Sequence, residues 1–176
     1  MRSNANFDQA TTARTHRRPR DVVAQWCRRF QHSCRERGLR LTAQRLAVYR
    51  VLASDASHPS VDAVFEAVRR EMPTVSFATV YRVLESLEMK GLVRRVSTTA
   101  GVARYDANVA PHHHFVCRSC GRMVDGDDGT IARIPLPLVG PRGFTAEELD
   151  IRILGLCGTC QRPRQSGRRA NDQQQN

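Results

Sequence analysis

Four cysteines in the arrangement Cys117-x2-Cys120-x36-Cys157-x2-Cys160 limit what this chain can become more than any other feature. Each Cys-x-x-Cys places two thiolates on a tight knuckle, and two knuckles together close a tetrahedron around zinc. A closed coordination sphere has no open position, so this zinc is structural. The segment carrying it spans only about 55 residues and can bury little core. A structural zinc supplies roughly 10–16 kcal/mol of apparent binding energy to folding. A redox pair of the thioredoxin type would instead need one Cys-x-x-Cys opening a helix after a strand.

Just ahead of the first knuckle stand His112, His113 and His114, which that zinc does not need. On a strand, His112 and His114 face one side and His113 the other, so the first two form a chelating pair. Asp106 and Asp125 flank the segment and supply oxygen donors. Imidazole with carboxylate and no thiolate suits iron or manganese without excluding zinc. Taken alone, the His triplet also reads as an exposed polar patch. His58, before a proline at a helix entrance, reads on local grounds as a surface or capping residue. Cys27 and Cys34 are seven apart on a predicted helix and read as small buried apolar residues.

With 176 residues the chain makes one ordinary domain or two small ones. No apolar run is long enough to cross a bilayer. The start, MRSNANFDQATTARTHRRPR, lacks the apolar stretch of a secretory signal, so a cytoplasmic location is expected. The net charge of +11 is unevenly placed: residues 1–50 carry 12 Arg against 3 acidic groups, net +9. Basicity at that end favours contact with nucleic acid.

Residues 1–21 and 162–176 are polar, basic and without period, and read as disordered arm and tail. Between them the first half is helical. Val22, Val23, Trp26 and Phe30 have helical spacing, and that helix stops near Gly38. Thr42 and Ser60 are expected N-caps of the second and third helices. Ser76 to Thr79 opens a fourth whose apolar positions are Val80, Val83, Leu84 and Leu87. Strands over 92–96 and 102–105 with a Gly-containing turn between them complete a winged helix-turn-helix domain over residues 22–106.

Residues 107–161 read as a small α/β domain, with strands over 112–117, 122–125 and 149–153. A turn is expected at 126–129, and Pro135, Pro137 and Pro141 leave room for little more than a short helix. The whole is thus an α+β chain. Ser76, Thr79, Tyr81 and Arg82 lie towards the N-terminal end of the fourth helix, the part that enters a major groove, with Arg40 and Arg45 upstream as further contacts.

The motifs Leu39-Arg40-Leu41-Thr42-Ala43-Gln44-Arg45, His58-Pro59-Ser60-Val61-Asp62, Ala78-Thr79-Val80-Tyr81-Arg82, Arg104-Tyr105-Asp106, His112-x-His114-x2-Cys117-x2-Cys120 and Cys157-x2-Cys160 closely resemble the ferric uptake regulator family in the same order. The resemblance covers roughly residues 38–161. It implies a homodimeric winged-helix repressor of palindromic double-stranded DNA operators. Residues 107–161 would dimerise and hold structural zinc at Cys117, Cys120, Cys157 and Cys160. A regulatory Fe(2+) or Mn(2+) would sit on His58, Asp106, His112, His114 and Asp125, which turns His58 from bystander into ligand.

Ala132 and Leu149 stand where some members carry an additional Glu/His site, so that site is expected to be absent. The wing offers no Cys of the kind zinc sensors use, and Asp106 stands where iron sensors commonly have Glu. The set of three His and two Asp looks most like the peroxide-sensing branch, where peroxide oxidises a ligand histidine, by match His58 or His112. The alternatives are an iron-responsive regulator, a zinc-uptake regulator, or a zinc-ribbon module without a sensor. An enzyme is not expected: a zinc deaminase would need His-x-Glu with Pro-Cys-x-x-Cys, and no histidine here has that Glu.

Overall fold

The computed structural model describes residues 17–97, 102–126, 141–145 and 149–161. Four helices come first: α1 (Arg20–Glu36), α2 (Ala43–Ser54), α3 (Val61–Glu71) and α4 (Phe77–Met89). Five short strands follow: β1 (Arg94–Ser97), β2 (Ala103–Asp106), β3 (His113–Cys117), β4 (Met123–Gly126) and β5 (Arg152–Gly155), then the single turn α5 (Gly158–Gln161). The chain is therefore α+β, with helices preceding small sheets.

Side-chain caps start the helices where the sequence places them. Thr42 Oγ1 accepts from the Arg45 amide at 3.2 Å, Ser60 Oγ from Ala63 at 3.3 Å and Ser76 Oγ from Thr79 at 3.1 Å. Each hydroxyl satisfies an amide that has no carbonyl in the first turn. Helix α1 begins at Arg20, two residues before its expected start, because Pro19 supplies the carbonyl that the Val23 amide donates to at 3.0 Å. Gly91 closes α4 with a φ of 59°, and the Leu92 amide turns back onto the Leu87 carbonyl at 2.9 Å.

The helices enclose one substantial core. Phe30 stacks on Tyr49 with ring centroids 4.0 Å apart. Val48, Leu52, Val64, Val68, Val80, Leu84 and Leu87 are buried around them, and Tyr105 of β2 closes the side. Strands β1 and β2 pair antiparallel. In the second sheet β3 lies between β4, antiparallel, and β5, parallel. This half buries little: among the described residues its Val116 and Met123 form a separate apolar cluster only together with Val96 of β1.

The third strand of that sheet departs from the sequence expectation. Alternation over 149–153 predicts a strand there, whereas pairing with β3 runs from Arg152 to Gly155. Register is set from the far end, where the Arg118 amide donates to the Gly155 carbonyl at 2.8 Å and aligns the two cysteine knuckles. Leu149 and Asp150 are exposed and lie ahead of the strand. Of the turn expected at 126–129, Gly126 instead ends β4, while residues 127–129, the segment 130–140 with Ala132, the wing turn at 100–101 and the terminal stretches 1–16 and 162–176 lie outside the described residues.

Candidate metal centres

Cys117 ends β3 and Cys120 follows in a turn closed by the Gly121 amide on the Cys117 carbonyl at 2.9 Å. Gly121 has a φ of 69°, a left-handed conformation that costs glycine little. The second knuckle forms alike, with the Cys160 amide on the Cys157 carbonyl at 2.9 Å. Parallel pairing of β3 with β5 brings the knuckles together, and the four sulfurs lie within 4.8 Å of one another. Cys120 Sγ and Cys157 Sγ are 3.7 Å apart. A tetrahedron with metal–sulfur bonds of about 2.3 Å has edges of about 3.8 Å, so the spacing suits zinc and is far too long for a disulfide.

Backbone amides prepare Cys117 and Cys157 for the thiolate form, whereas burial and the neighbouring cysteines push Cys120 up to about 12. Burial pushes the Cys117 thiol up, but the amides of Cys157, Cys120 and Ser119 outweigh it and hold the pKa down at about 6. The Cys157 amide reaches Cys117 Sγ at 3.3 Å. By contrast, burial pushes the Cys34 and Cys27 thiols up, against nearby arginines. Cys34 is fully buried and Cys27 packs against the helical core, which leaves both remote from the four-sulfur cluster.

The second cluster gathers His58, Asp106, His112, His114 and Asp125, each offering one atom within 4.8 Å of the others. His58 arrives from the helical half. A following proline favours extended backbone, yet His58 adopts a φ of 56°, a left-handed conformation uncommon for a residue with a side chain. The strand pairing of Ser60 with Arg104 and the Tyr105 amide on the Pro59 carbonyl at 3.1 Å pin this turn beside β2. Arg104 Nη1 adds a bond to the His58 carbonyl at 3.0 Å. Asp106 ends β2, His112 and His114 share one face of the β3 segment, and Asp125 lies opposite His114 on β4.

Hydrogen bonds aim these groups inward. His112 Nδ1 donates to the Ala110 carbonyl at 2.8 Å, leaving the Nε2 lone pair for the centre. Asp106 Oδ1 accepts from the Asn108 amide at 2.8 Å, leaving Oδ2. His58 Nε2 lies 3.3 Å from Asp106 Oδ2 and 2.8 Å from Asp125 Oδ1, and His112 Nε2 lies 2.9 Å from His114 Nε2. Adjacent ligands of an octahedral ion with bonds of about 2.1 Å are about 3.0 Å apart. His58 Nε2, Asp106 Oδ2 and Asp125 Oδ1 are buried yet find no aligned hydrogen bond among the described residues. Atoms so close and so unsatisfied share a common target, and a cation meets that demand.

The electrostatics agree. Burial opposes the charged forms of Asp106 and Asp125, but His112 and His58 hold both carboxyls well below the usual range. Those carboxylates lift His112 to about 10 and raise His58 despite its burial. His114, buried and facing two cationic rings, falls to about 4. Protons on His58 and His112 thus supply the positive charge that a metal would supply. Three nitrogens, two carboxylates and no thiolate suit iron or manganese. His113 points the other way, where its ring occupies the space a side chain at Gly126 would need.

The residues expected at DNA lie elsewhere. Tyr81 and Arg82 are exposed on the outer face of α4, and Arg40 is exposed ahead of α2. Ser76 is committed to capping, and its hydroxyl also meets Thr79 Oγ1 at 2.8 Å. Arg45 is half-buried and donates to the Arg40 carbonyl. Sequence reasoning passed over Phe77, an exposed apolar residue beside Tyr81, and Arg18, which no local pattern distinguishes.

Residues 36–154 match the ferric uptake regulator family. The chain belongs to that family. It is therefore a metal-dependent transcriptional regulator. Ferric uptake regulation protein 1 of Mycolicibacterium fortuitum is 41% identical over 123 residues, which are 69% of this regulator and 76% of that protein. The peroxide-responsive repressor PerR of Staphylococcus aureus is 31% identical over 129 residues, 73% of this chain and 87% of its own. Among solved structures, a ferric uptake regulator from Pseudomonas aeruginosa with manganese superposes with a TM-score of 0.59 at 29% identity, covering 73% of this regulator and 97% of that chain.

Proposed function

We propose that this regulator is a dimeric DNA-binding repressor that senses peroxide through iron or manganese held by His58, Asp106, His112, His114 and Asp125. A separate structural zinc is held by Cys117, Cys120, Cys157 and Cys160. The observation that carries the reading is the five-residue donor set without thiolate, drawn from the α2–α3 turn on one side and from β2, β3 and β4 on the other. An ion there ties the helices to the second sheet and selects one arrangement of the two.

The operator-facing elements are α4, with Ser76, Thr79, Tyr81 and Arg82, and the basic approach to α2, with Arg40 and Arg45. We assign residues 22–106 to DNA binding and 107–161 to dimerisation and metal binding, with basic segments 1–21 and 162–176 outside them. Exposed Phe115 and Val124 sit opposite each other on β3 and β4 and give the second sheet an apolar outer face suited to a second copy. The operator would then be palindromic, as two-fold symmetry requires.

Bound iron would supply the electrons that activate peroxide beside its own ligands. In the net reaction one oxygen of hydrogen peroxide enters the imidazole carbon of His58 or His112 and the other leaves as water. An oxidised ring at either position would hold the ion less well, and loss of the ion would favour release of DNA. Stoichiometric peroxide added to the iron-loaded protein, followed by peptide mass mapping, tests this. One added oxygen on the His58 or His112 peptide is expected. Unmodified peptides, with DNA release on iron removal alone, would establish instead the iron-responsive reading that the 41% identity to a ferric uptake regulation protein favours.

A further inference from the structure

Arg18 is buried to 12% side-chain exposure, yet it belongs to none of the roles above. Its Nη2 donates to Asp125 Oδ2 at 3.2 Å and lies 4.0 Å from Asp106 Oδ1. The Nη1 side reaches the carbonyls of Leu52 and Ala53 at 3.4 Å and of Asp55 at 3.3 Å at the end of α2, where Leu52 also accepts from the Asp55 amide. The guanidinium lies 4.6 Å from the centre of the Trp26 ring. Its own amide donates to the Ser54 carbonyl at 3.0 Å, and Arg17 pairs with Asp55.

We propose that Arg18 is a positioning residue that orients Asp125 towards the metal and couples metal occupancy to residues 17–19, which lead into α1. The proposal rests on the metal reading given above. Asp125 is the most exposed member of the cluster, at 28%, and stands on a strand with no partner on its other side among the described residues. Its carboxylate needs an anchor. Arg18 takes Oδ2 and thereby leaves Oδ1 facing His58 and His112. Partners that orient a ligand in this way commonly change metal affinity 10–100-fold.

The same guanidinium sits on the chain that leads into α1. Fixing Asp125 by a metal fixes Arg18, and with it the point where residues 1–16, bearing Arg2 and Arg14, join the fold. Metal occupancy thereby bears on how residues 17–19 are held against the end of α2. That cation carries a cost, because a guanidinium beside the centre repels an incoming dication. For Arg18 to strengthen binding, orientation of Asp125 must outweigh that repulsion.

Zinc-loaded full-length protein titrated with Mn2+ decides the matter, read by calorimetry and by hydrogen exchange of the peptide covering residues 17–23. In the wild type Mn2+ should bind and slow exchange in that peptide. In Arg18→Gln binding should weaken about 10-fold or more, and Mn2+ should no longer slow exchange there. Arg18→Lys keeps the charge without the planar fork and should also bind more weakly, which secures the test if the Gln variant folds poorly. A purely structural role would change exchange equally with and without Mn2+ and would overturn the coupling. Equal or tighter Mn2+ binding by both variants overturns the anchoring. A wild type that binds no Mn2+ overturns the metal reading itself, and this proposal with it.

Discussion

His58 Nε2 stands 2.8 Å from Asp125 Oδ1 in a buried setting, and the two atoms are nonetheless out of line for a hydrogen bond. One residue precedes α3 and the other lies on β4, so their approach joins the helical half to the half that carries the four cysteines. Two polar atoms brought this close without alignment are each costly to bury. A shared cation would remove that cost.

Metal-free protein that retains zinc should show a stability maximum near pH 6.5. His112, raised to about 10 in the fold, contributes stability fully below its ordinary value of 6.5 and loses it as pH climbs towards 10. His58 acts in the same direction. His114, depressed to about 4, is favoured neutral, so its contribution is lost as pH falls from 6.5 towards 4. The depressed Asp106 and Asp125 contribute above the ordinary carboxylate range and lose that contribution in stronger acid. Urea midpoints at pH 6.5 and 9 check this: the midpoint should fall at pH 9, and the fall should shrink in His112→Gln.

Cys157→Ser should abolish zinc retention and collapse the second sheet. With only Val116 and Met123 packed against Val96 of β1 in a separate cluster, that half has little apolar burial among the described residues to replace roughly 10–16 kcal/mol of zinc binding. Zinc content together with protease cleavage after Arg118 and Arg122 measures this. A variant without zinc that keeps wild-type resistance would mean the sheet stands without the metal.

A methyl group at Gly126 would lie 2.0 Å from His113 Nε2 and 2.7 Å from Phe115 Cε2. Gly126→Ala must therefore displace the buried His113 ring or shift β4, at a cost of about 1–3 kcal/mol. Because Asp125 is the preceding residue, Mn2+ affinity should fall along with the thermal midpoint. Both are readable in one thermal-shift series with and without Mn2+.

Arg82→Ala should relax sequence choice on DNA while leaving metal content unchanged, since Arg82 is exposed on α4 and away from both clusters. Wild-type affinity should fall with salt by about 0.9 log units per log salt for each phosphate neutralised. Selection from a randomised duplex pool, repeated at two salt concentrations, checks both.

Much of this was legible because local chemistry decided it. Thr42, Ser60 and Ser76 cap helices for reasons that need no tertiary partner. Strand alternation was enough to put His112 and His114 on one side and His113 on the other. His58 looked like a bystander on local grounds because its role depends on a backbone turn pinned by β2. Arg18 was hidden for a similar reason: it lies in a polar stretch without period, and its partners, Leu52, Ala53 and Asp125, are remote in sequence. The register of β5 escaped the alternation rule because the cysteine knuckles set it, through Arg118 and Gly155, rather than a buried face.

The most direct test of two metals with separate duties is metal analysis of the purified chain before and after dialysis against EDTA, followed by readdition of Mn2+. One zinc per chain should survive dialysis in the wild type, and one Mn2+ per chain should rebind. In Asp106→Asn the zinc should remain while Mn2+ binding weakens sharply. Zinc alone, with no Mn2+ taken up by the wild type at any concentration tested, would contradict the account.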